Sequence, residues 1–131
     1  MDLGYVIVYV PDVVAAVEFY ERAFGLRRRF VDGGGQYAEL DTGRTRLAFA
    51  SPAMAENLNL AVRVQRPDQA AAGTELVFVT PEVASAFERA VAAGAVPVRA
   101  PAEMPWGQTV SYVRDRHGAL IELCTPVAED T

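Results

Sequence analysis

YVIVYVPDVVAAVEFYERAFG, residues 5–25, returns in altered form as ELVFVTPEVASAFERAVAAG, residues 75–94. The two stretches align at an offset of 70, with one extra residue in the first helix. Tyr5 falls on Glu75, Pro11 on Pro81, Asp12 on Glu82 and Val13 on Val83. Each copy opens with a run of β-branched residues and then places Pro and an acid where a helix would start. An apolar stripe follows at helical spacing: Val13, Val17, Tyr20 and Phe24 in one copy, Val83, Ala86, Phe87, Ala90 and Val91 in the other. A glycine stops each helix.

The copies also end alike. DTGRTRLAFASP, residues 41–52, lies over DRHGALIELCTP, residues 115–126, which sets Leu47 on Ile121, Phe49 on Leu123 and Pro52 on Pro126. Between helix and last strand each copy has room for two further strands. FVDGGGQYAEL supplies a glycine turn and a strand in the first; VRAPAEMPWGQTVSYVRD supplies a longer loop and a strand in the second. The unit is therefore β-α-β-β-β, present twice, which makes the fold class α+β. The first module covers residues 1–52, a linker covers 53–74, and the second module covers 75–131, all within one structural domain. In the linker, ENLNLAVRV alternates like an extra strand and RPDQAAAG reads as a flexible connector.

Strand alternation then sorts side chains by face. Val6, Val8 and Val10 suit the helix side of the first strand, leaving Tyr5, Ile7 and Tyr9 opposite. In its repeat Leu76 and Phe78 go to the helix, leaving Glu75, Val77 and Val79. In the closing strands Arg46, Ala48 and Ala50, and likewise Leu120, Glu122 and Cys124, are left on the helix-free side. Pseudo-twofold packing would set Tyr5, Ala48, Glu75 and Glu122 at equivalent depths around one hollow. That would explain a carboxylate in the middle of the apolar strand LIELC, since an unpaired buried charge is expensive.

Composition narrows the functions. A chain of 131 residues suits one ordinary domain. Half of its residues are hydrophobic and about a fifth are charged, which is globular composition. The net charge is −5, and all 12 basic residues are arginine. An acidic chain repels phosphodiesters, which argues against nucleic acid as a partner. The absence of lysine excludes Schiff-base chemistry and P-loop phosphate binding. No apolar run approaches a bilayer span and no leader is visible at the start. The single cysteine, Cys124, has no partner for an intramolecular disulfide, so a reducing cytoplasm is expected.

The strand-plus-FYE-x-x-x-G-L opening and the terminal RD-x-x-G-x-x-IEL together resemble the vicinal oxygen chelate superfamily. That superfamily groups glyoxalase I, extradiol dioxygenases, fosfomycin-modifying enzymes and bleomycin-resistance proteins. The resemblance spans nearly the whole chain. It implies paired β-α-β-β-β modules whose curved sheets enclose a cleft, in a homodimer that sometimes exchanges modules between subunits. Metal-dependent members place His, Gln or Glu on the first and last strands of each module. By position those sites are Tyr5, Ala48, Glu75 and Glu122 here, of which Glu122 alone matches well. Glu75 stands where His is usual, Tyr5 is a poor ligand and Ala48 cannot coordinate. His117, the only histidine, sits in the DRHG turn, away from the cluster.

The expectation is thus a metal-free binding protein of the bleomycin-resistance type, without cofactor or catalytic residue. It would sequester a small aromatic or cationic natural product, such as an antibiotic, using Tyr5, Tyr9, Ala48, Glu75, Trp106, Tyr112 and Glu122. The alternative is a metal-dependent lyase, isomerase or dioxygenase in which Glu75 and Glu122 hold a divalent ion with a third ligand from elsewhere; a third reading is metal-free acid/base catalysis by the two glutamates. Trp106, in MPWGQ, is flanked by Pro and Gly that would hold its ring on a turn for stacking. Plainer readings stand beside these. The glutamates could pair with an arginine such as Arg46 or face water; Trp106 could cap the core. His117 reads as exposed, Cys124 as a small buried thiol, Gly33 to Gly35 as a hairpin turn, and Arg27 to Arg29 as a solvated edge.

Overall fold

The computed structural model describes residues 1–127. The chain divides into two compact units, one comprising Met1–Gln65 and the other beginning at Arg66. In the first, β1 (Tyr5–Tyr9) leads into α1 (Val13–Phe24), followed by β2 (Arg27–Val31), β3 (Tyr37–Asp41) and β4 (Arg46–Ala50). In the second, β5 (Glu75–Val79) leads into α3 (Val83–Ala92), followed by β6 (Val96–Glu103), β7 (Thr109–Arg114) and β8 (Leu120–Cys124). The sheet orders are β1-β4-β3-β2 and β5-β8-β7-β6. First and last strands pair in parallel in both units, with Tyr5 opposite Arg46 and Glu75 opposite Leu120. The doubled β-α-β-β-β unit and the α+β class are as the repeat predicts.

The helices form where the repeat places them. Asp12 caps α1, its Oδ1 accepting from the Ala15 N–H at 3.0 Å, and Gly25 ends it in the left-handed conformation at φ 68°. Glu82, its counterpart, makes no side-chain cap bond to α3. The apolar stripe of α1 buries Val13, Val17 and Tyr20 completely, and the Tyr20 ring meets Phe49 of β4 with centroids 4.9 Å apart. The second core is smaller on its helix side, with Val83 and Ala90 the buried residues of α3, above Val113, Ile121 and Leu123 of the sheet.

The linker differs from expectation. ENLNLAVRV forms no strand; its Leu58, Leu60 and Val62 are exposed, and Asn59 turns the chain with φ 56°. Alternation alone cannot make a strand without a ladder partner, and the helix α2 (Pro52–Asn57) runs into this stretch. Ser51 and Pro52 start that helix as N-cap and first residue, a signal that the sequence carried.

The DRHG turn is built around Asp115, which is 1% exposed and accepts from the backbone N–H groups of His117 and Ala119, both at 2.9 Å. Gly118 sits there at φ 102°, and a Cβ on it would lie 2.8 Å from the backbone of Arg66. The Arg114 guanidinium donates twice to the Gly118 carbonyl, at 2.9 and 2.7 Å, and once to the Arg66 carbonyl at 3.3 Å. The Arg, Asp and Gly of this motif are therefore parts of a turn. His117 within it is half-buried rather than open to solvent.

Candidate functional site

In the second sheet the helix-free face can be followed across all four strands by register. Glu122 of β8 lies beside Val77 of β5 on one flank and Tyr112 of β7 on the other. Arg99 of β6 lies beyond Tyr112, and Cys124 lies two residues along β8 beside Val79 and Val110. Glu75 precedes Val77 by two residues, so it reaches Glu122 diagonally between parallel neighbours.

The polar groups on this face are joined. The Tyr112 hydroxyl donates to Glu122 Oε1 at 2.9 Å, and Glu122 is half-buried. A hydrogen bond with Glu122 holds the Glu75 carboxyl above its ordinary range, aided by partial desolvation and by the Glu122 charge. The Tyr112 phenol is pushed up to about 12, first by its bond to Glu122, then by burial and the nearby carboxylate charges, with Arg99 opposing. Burial, and next Glu122, raises the Cys124 thiol, so it is a poor nucleophile as well as a buried one. Around these groups the face is apolar, with Val77 and Val79 exposed at 45% and 61%. The face thus combines exposed apolar side chains with a cluster of two carboxyl groups and a phenol.

The helix-free face of the first sheet carries Tyr5, Ile7 and Tyr9 from β1, with Tyr5 55% exposed and Tyr9 half-buried. Ala48 is wholly buried, shut in between Ile7 and Glu39 in register. The sequence reading overlooked Glu39. It is 8% exposed, accepts from the Tyr37 hydroxyl at 2.8 Å and meets Arg29 Nε at 3.5 Å. The Tyr37 phenol is pushed up to about 12, mainly by burial and then by Glu39. Tyr37 and Glu39 share strand parity, and the small Ala50 and Ala48 opposite them on β4 leave room for both. That pattern was present in the sequence. The three arginines of β2 each find a carboxylate: Arg27 with Asp41, Arg28 with Glu21, and Arg29 with Glu39. They form a charge-paired edge, not an anion site.

Thus Glu75, Tyr112 and Glu122 are brought together on one face of the second module, while Tyr5, Tyr9 and Ala48 belong to the corresponding face of the first. Trp106 stands in the loop between β6 and β7, 67% exposed, so it is no part of the core. Among the described residues no three His, Cys, Asp or Glu side chains gather as a metal-holding set. Two carboxylates beside a phenol form a weak oxygen donor set, unlike the imidazole-rich sets that zinc or nickel favour. The residues present do not fit such a metal.

A family model described as Glyoxalase/Bleomycin resistance protein/Dioxygenase superfamily matches residues 2–123. Among solved structures, a glyoxalase-related enzyme from Fulvimarina pelagi is similar at 23% identity and a TM-score of 0.82, covering 96% of this chain and 88% of that one. TioX from Micromonospora sp. ML1 is similar at 26% identity and a TM-score of 0.70, covering 95% of this chain and 98% of that one. A glyoxalase/bleomycin resistance protein/dioxygenase family enzyme from Burkholderia phytofirmans PsJN is similar at 24% identity and a TM-score of 0.79, covering 98% and 100%. No curated protein matches the sequence.

Proposed function

Since this chain belongs to the Glyoxalase/Bleomycin resistance protein/Dioxygenase superfamily, we propose that it is a binding member of that group, taking up a small planar aromatic cation without metal or chemistry. An antibiotic-like natural product is the class of ligand envisaged. The observation that carries this reading is the Tyr112–Glu122–Glu75 cluster set in an exposed apolar sheet face. Two carboxyl groups in contact repel once both ionise, and a bound cation relieves that repulsion. The flanking Val77 and Val79 supply apolar area for a flat ring, and the exposed Trp106 supplies a stacking surface.

Fold analogy provides a menu of activities and does not choose among them. The choice rests on the donor set, which suits a cationic organic ligand better than a catalytic metal. Emission from Trp106, the only tryptophan, titrated with a panel of planar aromatic cations and their neutral isosteres, tests the reading. Saturable changes are expected for the cations, weakened about tenfold in Glu122→Gln by loss of a charge-assisted contact. Unchanged emission across the panel would count against it. So would a stoichiometric divalent ion that copurifies with untagged protein and is lost in Glu122→Gln.

A further inference from the structure

An exposed tryptophan ordinarily leaves its indole N–H to water, whereas the Trp106 N–H has an acceptor within the protein. Its Nε1 donates to Gln108 Oε1 at 2.7 Å, and the same amide donates through Nε2 to the Thr125 carbonyl at 2.7 Å. The loop beneath is closed on itself: the Met104 N–H donates to the Gln108 carbonyl at 2.8 Å, and the Gly107 N–H to the Met104 carbonyl at 2.9 Å. Gly107 takes φ 100°, a value that a side chain rarely tolerates. Beyond it, Thr109 and Thr125 exchange bonds of 3.0 Å, Thr109 N–H to Thr125 Oγ1 and Thr125 N–H to the Thr109 carbonyl. Gln108 is thus anchored just past the end of β8, three residues from Glu122.

A ring that is 67% exposed gains nothing in core packing from being held. What it gains is a defined orientation before any ligand arrives, which lowers the ordering cost of stacking. We infer that Gln108 is a positioning residue: its amide, anchored on Thr125, holds the Trp106 indole as a preformed stacking surface for a planar ligand. This rests on the binding role proposed above for the ligand, whereas the holding of the ring stands independently of it.

The test uses the full chain. Time-resolved fluorescence anisotropy of Trp106 without ligand reads ring order directly. Gln108→Met removes both bonds at similar length and is expected to add fast ring motion. Gln108→Glu keeps an oxygen acceptor for the indole but loses the amide donor to the Thr125 carbonyl, so it is expected to add ring motion as well. Motion unchanged in Gln108→Met would show that the indole needs no acceptor, motion unchanged in Gln108→Glu would show that the acceptor needs no anchor, and either overturns the inference.

Binding of N-methylquinolinium, a planar monocation followed by its own emission, provides the second arm. Gln108→Met is expected to weaken it about three- to tenfold. In a Trp106→Leu background the same substitution should have no further effect, because the ring it positions is gone. A loss that persists there means that Gln108 acts through the loop and overturns the inference. If the wild-type protein fails to bind the probe while its ring is immobile, the ligand reading falls and the positioning of Trp106 stands.

Discussion

The Tyr112 hydroxyl donates a 2.9 Å hydrogen bond to Glu122 Oε1 across the paired strands β7 and β8. This bond accounts for a carboxylate in the middle of an apolar strand. Glu122 keeps a neutral donor on one flank and a second carboxyl, Glu75, on the other, and among the described residues no ion pair with an arginine accompanies them. Tyr112→Phe removes the donor and leaves the half-buried Glu122 short of a partner. A loss of about 1 kcal/mol is expected in urea denaturation.

Phenol titration provides a separate reading of the same bond. Tyr37 and Tyr112 are both pushed up to about 12, one mainly by burial and the other mainly by Glu122. For a phenol raised in the folded state, the stabilising contribution is complete below the ordinary value of 10 and is lost as pH rises through about 12. Absorbance of tyrosinate should therefore show phenols ionising late, and Tyr112→Phe or Tyr37→Phe should each remove one equivalent from that late phase. Ordinary titration of every accessible phenol near pH 10 would contradict the two contacts.

Glu75 provides the pH dependence on the acid side. Its carboxyl is raised first by the hydrogen bond with Glu122. The contribution of that bond is therefore present below the ordinary carboxylate pKa and is lost as pH climbs through the raised value. Glu75→Gln keeps a donor for Glu122 and cannot ionise. It should raise the neutral-pH stability by about 0.5 kcal/mol, a small figure because Glu75 is exposed and screened. Thermal melts should show that gain shrinking to nothing well below the carboxylate range.

Much of this arrangement was legible because strand parity is strict. Once the repeat set the strands, period-2 alternation put Glu75 and Glu122 on one face, and the register agrees; Tyr112 was named as a candidate with no face assigned, and only the β7–β8 register sets it against Glu122. Glu39 was overlooked for a simpler reason: YAEL was read as a strand whose faces were never assigned. The linker misled because alternation is a local signal, whereas a strand needs a partner that no local pattern supplies. The RD-x-x-G motif is readable as a recurring marker and as a turn, yet the packing of Arg114 and Gly118 against Arg66, far away in sequence, is not. Likewise, nothing in MPWGQ shows that Gln108 grips the indole, because the anchor at Thr125 comes from strand pairing.

Gly118 should be among the positions least tolerant of a side chain. Its φ of 102° disfavours any L-residue, and an added Cβ would meet the Arg66 backbone at 2.8 Å. Gly118→Ala is expected to cost about 2–4 kcal/mol, combining backbone strain with displacement of the Arg114 anchor. Gly33→Ala, which meets nothing within 4 Å, should stay within about 0.5 kcal/mol. Urea midpoints of the two variants compare them, and equal effects would argue that the turn is not as tight as described.

The repeat itself makes a paired prediction. Asp12 and Glu82 occupy the same position before their helices, yet only Asp12 accepts a bond from the first turn, from the Ala15 N–H at 3.0 Å. The longer glutamate makes no such cap bond, and α3 starts instead with the Thr80 hydroxyl accepting from the Glu82 N–H at 3.2 Å. Asp12→Ala should therefore cost about 1 kcal/mol, whereas Glu82→Ala should cost less than half of that. Glu82→Asp shortens the side chain to the capping length and should stabilise the second module. Hydrogen exchange of the first-turn amides of α1 and α3 would resolve each helix separately. Greater protection in α3 of Glu82→Asp, with α1 unchanged, is the expected result, and equal sensitivity of both helices to alanine would refute the assignment of the cap to Asp12 alone.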